Sequence, residues 1–338
     1  MTKTIVVLGA TGLQVSELQK AWGGSVASKF LQDPNWTVRG VTRSTSSDAA
    51  KALVARGIEV VAADLDSPSS FDNVFKGAHA IFAMTDFWAP FYDAYPRLKS
   101  VSDRATGEHA SAIEIRRAKT AVDAAAKALK DEGLLEMFIY SSLPSIKQLS
   151  RGKYTYAYHF DAKAEVNEYI ASAHPELNQR TSILNMGFYY TNLATIPLMR
   201  PKKEADGSFT LSKTGFNDAV HPFVYPPDTG EFVALLINSA PGKNLLAVSE
   251  LASYTDIMKI WSEVTGKKTR IVNVLVEEMD KAMPGGLGRE AAESTASSAE
   301  FGWGQHLLLP KDIDPNVRLT SVREYIEKEN WEEVLRGN

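Results

Sequence analysis

The spacing of His159 and Lys163 is the feature of this sequence that most directly indicates chemistry. Residues i and i+4 lie on one face of a helix, so the imidazole and the ammonium group would stand one turn apart. In a Tyr-x-x-x-Lys arrangement the lysine lowers the pKa of the tyrosine, which then acts as the acid in hydride transfer. Here His159 occupies the tyrosine position, and the adjacent Tyr158 is rotated by about 100° around the helix. The usual acid is therefore missing.

Lys163, His159 and Tyr158 are nevertheless the candidates for catalysis. Lys163 can hold the hydroxyls of a nicotinamide ribose, or donate a proton where desolvation lowers its pKa. The alternative is a surface salt bridge with Asp161 or Glu165, although i,i+2 neighbours face different ways on a helix. His159 can titrate near neutrality, but a lone histidine is more often packed or hydrogen-bonded.

A glycine-rich turn follows the first apolar run of the chain. A strand that ends in such a turn begins a dinucleotide-binding unit, because glycines let backbone N–H groups approach a pyrophosphate. The N-terminus of the next helix adds a favourable partial charge. We therefore predict cofactor contacts at Gly9, Thr11, Gly12, Leu13 and Gln14.

The glycine turn is interrupted, since Val15 stands where a third glycine is expected and the next glycines are Gly23 and Gly24. The residue that contacts the adenosine ribose normally lies about 20 positions beyond the turn. Arg43, after the second strand, lies 31 positions beyond Gly12, or 23 when eight residues are set aside. We interpret residues 15–22 as an insertion that either loops outward or closes the site.

Arg43 stands where an acidic residue would indicate NAD. An arginine instead favours a 2′-phosphate, and the hydroxyl residues 44–47 can assist, so NADP(H) is the predicted cofactor. A solvated arginine at a strand end is the alternative. Asp64, which would border the adenine, can equally be an exposed turn residue. The later cofactor contacts are predicted at Asp64, Thr85, Ser141, Lys163 and Phe188.

Short apolar runs alternate with helical patterns in the first half of the chain, which predicts an α/β fold with a Rossmann-type doubly wound parallel sheet. Beyond Gly187 the alternation stops. We predict a Rossmann domain over 1–187 and a smaller C-terminal α/β lobe over 188–338, part of which packs back on the core. Strands are predicted at 4–8, 37–42, 58–63, 78–84, 137–142 and 181–186, helices near 24–32, 48–56, 105–131, 160–173, 230–238 and 254–265, and a hairpin around 206–207.

Two other segments have two interpretations each. An aromatic cluster after the fourth strand either lines a nicotinamide or substrate pocket or packs under a long loop. Residues 289–300, rich in Ala, Ser and Glu, are either a weak helix or a mobile surface segment. The aromatic residues are Phe87, Trp88, Phe91, Tyr92 and Tyr95.

Composition excludes several classes of function. The 338 residues carry 37 Lys and Arg against 41 Asp and Glu, a net charge of −4, so direct nucleic-acid binding is not expected. No cysteine is present, which removes thiolate chemistry and disulfides. The histidines lack metal-ligand spacing, so no metal is predicted. With no signal sequence or membrane span expected, a cytoplasmic protein, also possible in the nucleus, is the default.

Taken together, several segments resemble the NmrA-like family of atypical short-chain dehydrogenases/reductases, and the resemblance covers nearly the whole chain. The matching segments are Gly9 to Gln14 with displaced Gly23 and Gly24, Val41 to Arg43, Phe138 to Leu143, Tyr158 to Lys163, Gly187 to Tyr189, Asp228 to Gly230, Trp261 to Lys268, Tyr325 to Ile326 and Asn330 to Trp331.

This resemblance implies a Rossmann domain that binds NADP(H) and, in many members, no dehydrogenase activity because the tyrosine is replaced. Such members are thought to sense the nicotinamide redox state and to bind regulatory partners such as transcription factors. A redox sensor of this kind is our preferred interpretation. Other relatives are similar to isoflavone and phenylcoumaran benzylic ether reductases and rely on a lysine at the position of Lys163, so a reductase of a small apolar metabolite is the alternative. A cofactor-free scaffold, closed by residues 15–22, is the third.

Overall fold

The computed structural model describes residues 2–10, 22–196, 199–216 and 218–337. Within these ranges seven strands form one central sheet, in the order β3-β2-β1-β4-β5-β6-β11. Their bounds are β1 Lys3–Leu8, β2 Trp36–Thr42, β3 Glu59–Ala62, β4 Ala80–Ala83, β5 Met137–Ser142, β6 Thr181–Met186 and β11 Asn244–Ala247.

Every neighbouring pair in this sheet is parallel. From β1 the chain first moves outward to β2 and β3, and then returns to place β4 on the other side of β1. The strand order therefore reverses between β1 and β4, which is where doubly wound folds bind ligands. The predicted Rossmann-type parallel sheet is confirmed.

Helices cover both faces of the sheet. The longer ones are α1 Trp22–Leu31, α2 Asp48–Ala55, α3 Trp88–Leu98, α4 Ala105–Glu132, α6 Tyr158–Ala173, α9 Thr229–Ile237, α10 Tyr254–Thr265 and α12 Leu287–Phe301. The shorter ones are α5 Ile146–Leu149, α7 Pro175–Asn178, α8 Asn192–Thr195, α11 Val276–Ala282, α13 Pro310–Ile313, α14 Val322–Lys328 and α15 Glu332–Arg336.

The alternating side chains of β1 divide between two cores, because successive residues of a strand face opposite sides. Ile5 and Val7 pack in one cluster with residues of α1 and α9. Val6 and Leu8 pack in the other cluster with residues of α4 and α6. All four side chains are buried, so β1 is buried on both faces as expected for a central parallel strand.

Beyond β6 the chain leaves the central sheet at Gly187, where a Cβ atom would lie 2.6 Å from the carbonyl oxygen of Pro222. Two small sheets follow, in the orders β12-β10-β7 and β13-β9-β8. The predicted hairpin around residues 206–207 joins β8 and β9, which pair antiparallel. Their strands are β7 Phe188–Tyr189, β8 Lys202–Lys203, β9 Phe209–Lys213, β10 Val220–Val224, β12 Glu250–Ser253 and β13 Thr269–Asn273.

Between these small sheets, β11 returns to the edge of the central sheet and pairs with β6. Helix α9 packs on the same core as α1, and Leu308 bridges to Leu245 of β11. Segments beyond residue 187 thus complete the central sheet, while the division of the chain into two domains at that residue stays a prediction.

Two predicted alternatives are wrong. Residues 289–300 are not a mobile surface segment, because they lie within α12, where Glu290 and most residues up to Ser298 are buried. The aromatic cluster does not pack under a long loop, because most of it belongs to helix α3. In the part of the chain that the structure describes, no helix is both long and apolar enough to cross a membrane.

Candidate functional site

Gly9 follows directly after β1 at the carboxyl edge of the central sheet. Its φ of +73° belongs to the left-handed region, and a Cβ atom there would lie 3.0 Å from Sδ of Met84, just after β4. Only glycine fits this close approach without strain. Of the other predicted turn contacts, Thr11, Gly12, Leu13 and Gln14 lie outside the described residues, as do positions 15–21 of the interpreted insertion; Trp22 begins α1.

Arg43 lies beside this turn. The register of β1 and β2 pairs Leu8 with Val41, so Gly9 and Arg43 both come just beyond the same edge. Arg43 is exposed, and its guanidinium forms no ion pair with any residue in the described ranges. The hydroxyls of Ser44 and Ser46 lie 3.0 Å apart next to it. This is the arrangement expected of a guanidinium that is available to an anionic group.

Asp64 follows β3 at the same edge. Its carboxylate accepts a hydrogen bond of 3.0 Å from the backbone N–H of Asp66, and its own N–H donates to Ser70 Oγ at 2.9 Å. The side chain therefore shapes a turn at the position predicted to border the adenine.

Lys163 reaches from α6 to the end of β4. Its Nζ lies 2.5 Å from Oε1 of Glu114 and donates to the carbonyl oxygen of Thr85 at 3.1 Å. Thr85 Oγ1 donates to the same Glu114 oxygen at 2.9 Å. Lys163 thus has its partners in the interior, and the predicted surface salt bridge with Asp161 or Glu165 is wrong.

This cluster of Thr85, Asp86, Glu114 and Lys163 places largely buried charges at the carboxyl edge of β4. Glu114 is fully buried and its Oε2 meets no hydrogen-bond partner in the described chain. Burial raises the pKa of Asp86, with the nearby Glu114 carboxylate adding to the shift. Buried ion pairs carry a large desolvation cost and are weak evidence of a purely stabilising role. A carboxyl group whose pKa is raised by burial beside another carboxylate is found more often at functional sites than elsewhere.

His159 lies one turn before Lys163 on α6, and its hydrogen-bond partner comes from the C-terminal part of the chain. Its Nδ1 is 2.5 Å from Oε1 of Glu290, and its backbone N–H donates to the same oxygen at 2.9 Å. Glu290 belongs to α12 and is 1% exposed. Burial raises the pKa of Glu290, and the hydrogen bond from His159 opposes the shift.

Tyr158 turns away from Lys163. Its hydroxyl accepts a hydrogen bond of 2.8 Å from Arg104, and its ring lies where a Cβ atom on Gly107 would stand. Burial raises its pKa. The structure therefore brings His159 and Lys163 to the carboxyl edge of β4 and places the Tyr158 hydroxyl elsewhere.

The aromatic cluster both packs and borders the site. Phe87 and Phe91 are buried in a small core. The rings of Phe87 and Trp88 also lie 5.7 and 5.1 Å from the imidazole of His159. The cluster therefore forms an apolar wall beside the histidine.

The two remaining predicted contacts lie on strands of different sheets. Ser141 is buried on β5. Phe188, on β7, is partly exposed and packs 5.3 Å from Trp303 and 5.6 Å from His221 between ring centroids. Ser141 lies near the carboxyl end of β5, and Phe188 comes two residues after β6 ends, so both lie at the carboxyl edge of the central sheet.

Sequence reasoning missed Glu114 and Glu290. Glu114 lies on the same face of α4 as Ala110 and Ala118, which are four residues away on either side, and that face is apolar. A single charge on an apolar helical face was the available signal, because such a charge must be paired once buried. Glu290 gave no comparable signal, since its partner lies 131 positions away.

The strand reversal, the glycine turn and the charged cluster at the carboxyl edge define a protein of the dinucleotide-binding Rossmann class. The model of the NmrA-like family matches residues 1–335, and the chain belongs to this family.

Two similar relatives are fungal proteins. One is the NmrA-like family domain-containing oxidoreductase cpsB of Aspergillus campestris, 28% identical over 294 residues that cover 80% of this chain and 76% of the relative. The other is the NmrA-like family domain-containing oxidoreductase FrzB of a Cladobotryum species, 28% identical over 289 residues, 81% of this chain and 77% of the relative.

Solved structures share the fold. The negative transcriptional regulator NmrA in complex with NADP superposes with a TM-score of 0.67 at 19% identity, over 97% of this chain and 95% of that one. The NADPH-dependent quinone oxidoreductase QOR2 of Escherichia coli, complexed with NADPH, gives a TM-score of 0.67 at 18% identity, over 95% of this chain and 98% of that one.

Proposed function

We propose that this protein is an NADP(H)-dependent oxidoreductase that reduces a small apolar or aromatic metabolite. The observation that carries the proposal is the position of the Lys163 ammonium group, at the carboxyl edge of β4 and in contact with Thr85. This edge adjoins the Gly9 turn at the strand reversal, where ligands of doubly wound folds bind.

The residues present fit a dinucleotide. Gly9 has the left-handed backbone conformation of a phosphate-binding glycine turn, and the exposed Arg43 supports preference for a 2′-phosphate over a free hydroxyl. The relatives NmrA and QOR2 are described as complexes with NADP and NADPH. A reduced nicotinamide, when bound, would supply a hydride.

The remaining chemistry falls to side chains of this chain. Lys163 would hold the hydroxyls of the nicotinamide ribose, kept in place by Glu114 and Thr85. Phe87 and Trp88 would keep water from the substrate side. His159, one turn from Lys163, would supply the proton that accompanies hydride transfer.

A redox-state sensor that regulates a partner protein is the second candidate. It is supported by the hydrogen bonds of Lys163. Its ammonium group already donates to Glu114 and to both oxygens of Thr85, so its donors are all in use. A sensor needs differential binding of the oxidised and reduced cofactor rather than turnover.

The first experiment is a calorimetric titration with NADP⁺, NADPH and NAD⁺, followed by assays of NADPH oxidation with a panel of aromatic carbonyl compounds. We expect NADP⁺ to bind at least about tenfold more tightly than NAD⁺, and turnover to fall on the order of 10²-fold in Lys163→Ala. Lys119→Ala is the matched control, because Lys119 pairs with Glu165 on the protein surface.

Cofactor binding without turnover of any compound would favour the sensor. No binding would contradict both candidates and leave the scaffold, which a variant lacking residues 15–22 then tests. Turnover that is unchanged in Lys163→Ala would remove the role proposed for that lysine.

A further inference from the structure

We infer that Glu290 is a positioning residue, which fixes His159 so that Nε2 is the atom that transfers a proton to a planar, apolar carbonyl substrate. This inference rests on the proposed function and names the substrate class of that site.

Only one of the two imidazole nitrogens of His159 has a hydrogen-bond partner in the described ranges. Nδ1 faces Oε1 of Glu290, so Nε2 lies on the opposite side of the ring. Within the described ranges Nε2 meets no hydrogen-bond partner, and the side chain is 15% exposed. A carboxylate that accepts the Nδ1 proton leaves Nε2 as the nitrogen that gains and loses a proton.

The surroundings of the ring indicate what the proton is transferred to. The imidazole lies 5.1 Å from Trp88 and 4.6 Å from Phe160 between ring centroids, and Trp88 stacks on Tyr92. Flat aromatic walls favour a flat apolar molecule, and a histidine at their edge favours a group that takes up a proton. A conjugated ketone or aldehyde has both properties.

The carbonyl carbon accepts a hydride from NADPH while the carbonyl oxygen takes a proton from Nε2 of the His159 imidazolium. The C=O π bond breaks, one C–H and one O–H bond form, and the products are an alcohol, NADP⁺ and a neutral imidazole. Solvent returns the proton to Nε2 through the exposed part of the ring.

Glu290 also has a structural role that the test must separate. Its Oε1 accepts the backbone N–H of His159, in the first turn of α6. One turn along α12, Glu293 accepts hydrogen bonds from the backbone N–H groups of Thr155 and Tyr156, just before α6 begins, at 2.6 and 2.7 Å. Glu293 anchors the main chain in front of α6 without touching the imidazole, so it provides a control for main-chain anchoring alone.

The other charged groups near His159 lie on α6, on α12 and around Lys163. On α6 itself, Asp161 interacts electrostatically with the ring, and Lys163 lies one turn away. From α12 the facing group is Glu290, and from α3 the facing side chains are aromatic. Asp86 and Glu114 lie around Lys163.

The test is NMR of the full-length protein labelled with ¹⁵N in histidine, with the His159 signals assigned by comparison with His159→Asn. The wild type is expected to carry its neutral-ring proton on Nδ1. Glu290→Ala is expected to shift the population to the Nε2–H form that free histidine prefers. Glu293→Gln is expected to keep the proton on Nδ1.

Glu290→Gln is the second variant if Glu290→Ala does not fold, which circular dichroism and thermal unfolding will show. A neutral amide makes a weaker hydrogen bond than a carboxylate, so the Nδ1 proton should exchange with water roughly tenfold faster. His159 signals that are identical in the wild type and both Glu290 variants would overturn the positioning role.

Turnover then tests the chemistry separately. With a reducible carbonyl compound in hand, kcat should fall on the order of 10- to 100-fold in Glu290→Gln with KM little changed, whereas Glu293→Gln should keep kcat. A tautomer shift with unchanged kcat would overturn proton transfer by His159. A tautomer shift in a protein that turns over no carbonyl compound leaves Glu290 as the orienting group and refutes the proposed function alone.

Discussion

Arg43 is exposed at the end of β2, next to the Gly9 turn and without an ion pair in the described chain. A guanidinium in this position stays in water when no ligand is bound, so it carries little desolvation cost. It can form charge-assisted hydrogen bonds with a 2′-phosphate. The preference for one dinucleotide over the other can therefore depend on this single side chain.

We expect Arg43→Ser to weaken NADPH binding by about 2 kcal/mol, roughly 30-fold, because hydrogen bonds to charged groups contribute 1.5–3 kcal/mol. NADH binding should change little. Calorimetric titration measures the affinity for each cofactor. Arg43→Lys keeps the charge without the planar fork, so its affinity for NADPH should fall between those of the wild type and Arg43→Ser. Equal losses for both cofactors would show that Arg43 does not contact the 2′-phosphate.

His221 is a second residue with a measurable consequence. It is fully buried, its Nδ1 lies 2.7 Å from Ser298 Oγ, and its Nε2 meets no partner in the described chain. Burial, and then the charge of Lys213, lower the pKa of His221 to about 4 from the ordinary value of 6.5. The folded protein therefore holds this ring neutral where the unfolded chain would protonate it.

Between pH 6.5 and about 4 the unfolded state binds more protons than the folded state at this residue. Stability therefore rises with pH across this window, by about 3 kcal/mol in total. Urea unfolding at several pH values should show this slope in the wild type and a smaller one in His221→Asn, where Asn can replace the bond to Ser298. His109→Asn, at an exposed site on α4, should keep the wild-type slope.

The elements show where sequence patterns were sufficient. β1 could be predicted because a short apolar run leads into a glycine turn, and α4 because apolar residues recur at helical spacing along its length. Helix α3 could not, because Pro90 and Pro96 fall inside it and normally indicate a break. Helix α12 could not be predicted as buried, since its Ala, Ser and Glu residues are typical of a surface and find their partners only in the folded chain.

Helix α12 is delimited by glycines in the left-handed region, Gly285 and Gly286 before it and Gly302 after it. A Cβ atom at Gly286 would lie 2.1 Å from the carbonyl oxygen of Asp103. The start of α12 is thereby pressed against the segment between α3 and α4. This contact holds the first turn of α12, which carries Glu290, against the start of α6, where His159 lies.

Gly286→Ala should therefore destabilise the protein by at least about 3 kcal/mol, because backbone strain adds to a collision with main-chain atoms. Gly133→Ala is the control: Gly133 ends α4 with φ +68°, but nothing lies within 4 Å of its Cβ position. That variant should lose only about 1 kcal/mol. Chemical denaturation compares the two, and equal losses would mean that the contact with Asp103 carries no constraint.

At the scale of the whole molecule, the site combines side chains from distant parts of the chain. Gly9, Thr85 and Lys163 come from the strand and helix alternation that the sequence displays, and they could be predicted by position. Glu290 comes from α12, and its contact with His159 depends on how the C-terminal segments pack, for which a single sequence holds no local pattern.

The central sheet also depends on both halves of the chain, because β11 covers the edge of β6 through four residue pairs. A fragment of residues 1–187 would leave that edge of hydrogen-bonding groups open, and open edges promote aggregation. We expect light scattering to show more aggregation for the fragment than for the full chain at equal concentration. A monomeric, folded fragment would show that β11 is dispensable.

The late position of β11 has a consequence for biosynthesis. Chains generally fold from the N-terminus as they leave the ribosome, and here the first six strands of the sheet are complete at Met186, some sixty residues before β11 ends at Ala247. During that interval the nascent chain displays the unpaired side of β6. The protein therefore passes through a stage of translation at which a chaperone that shields strand edges would determine its yield.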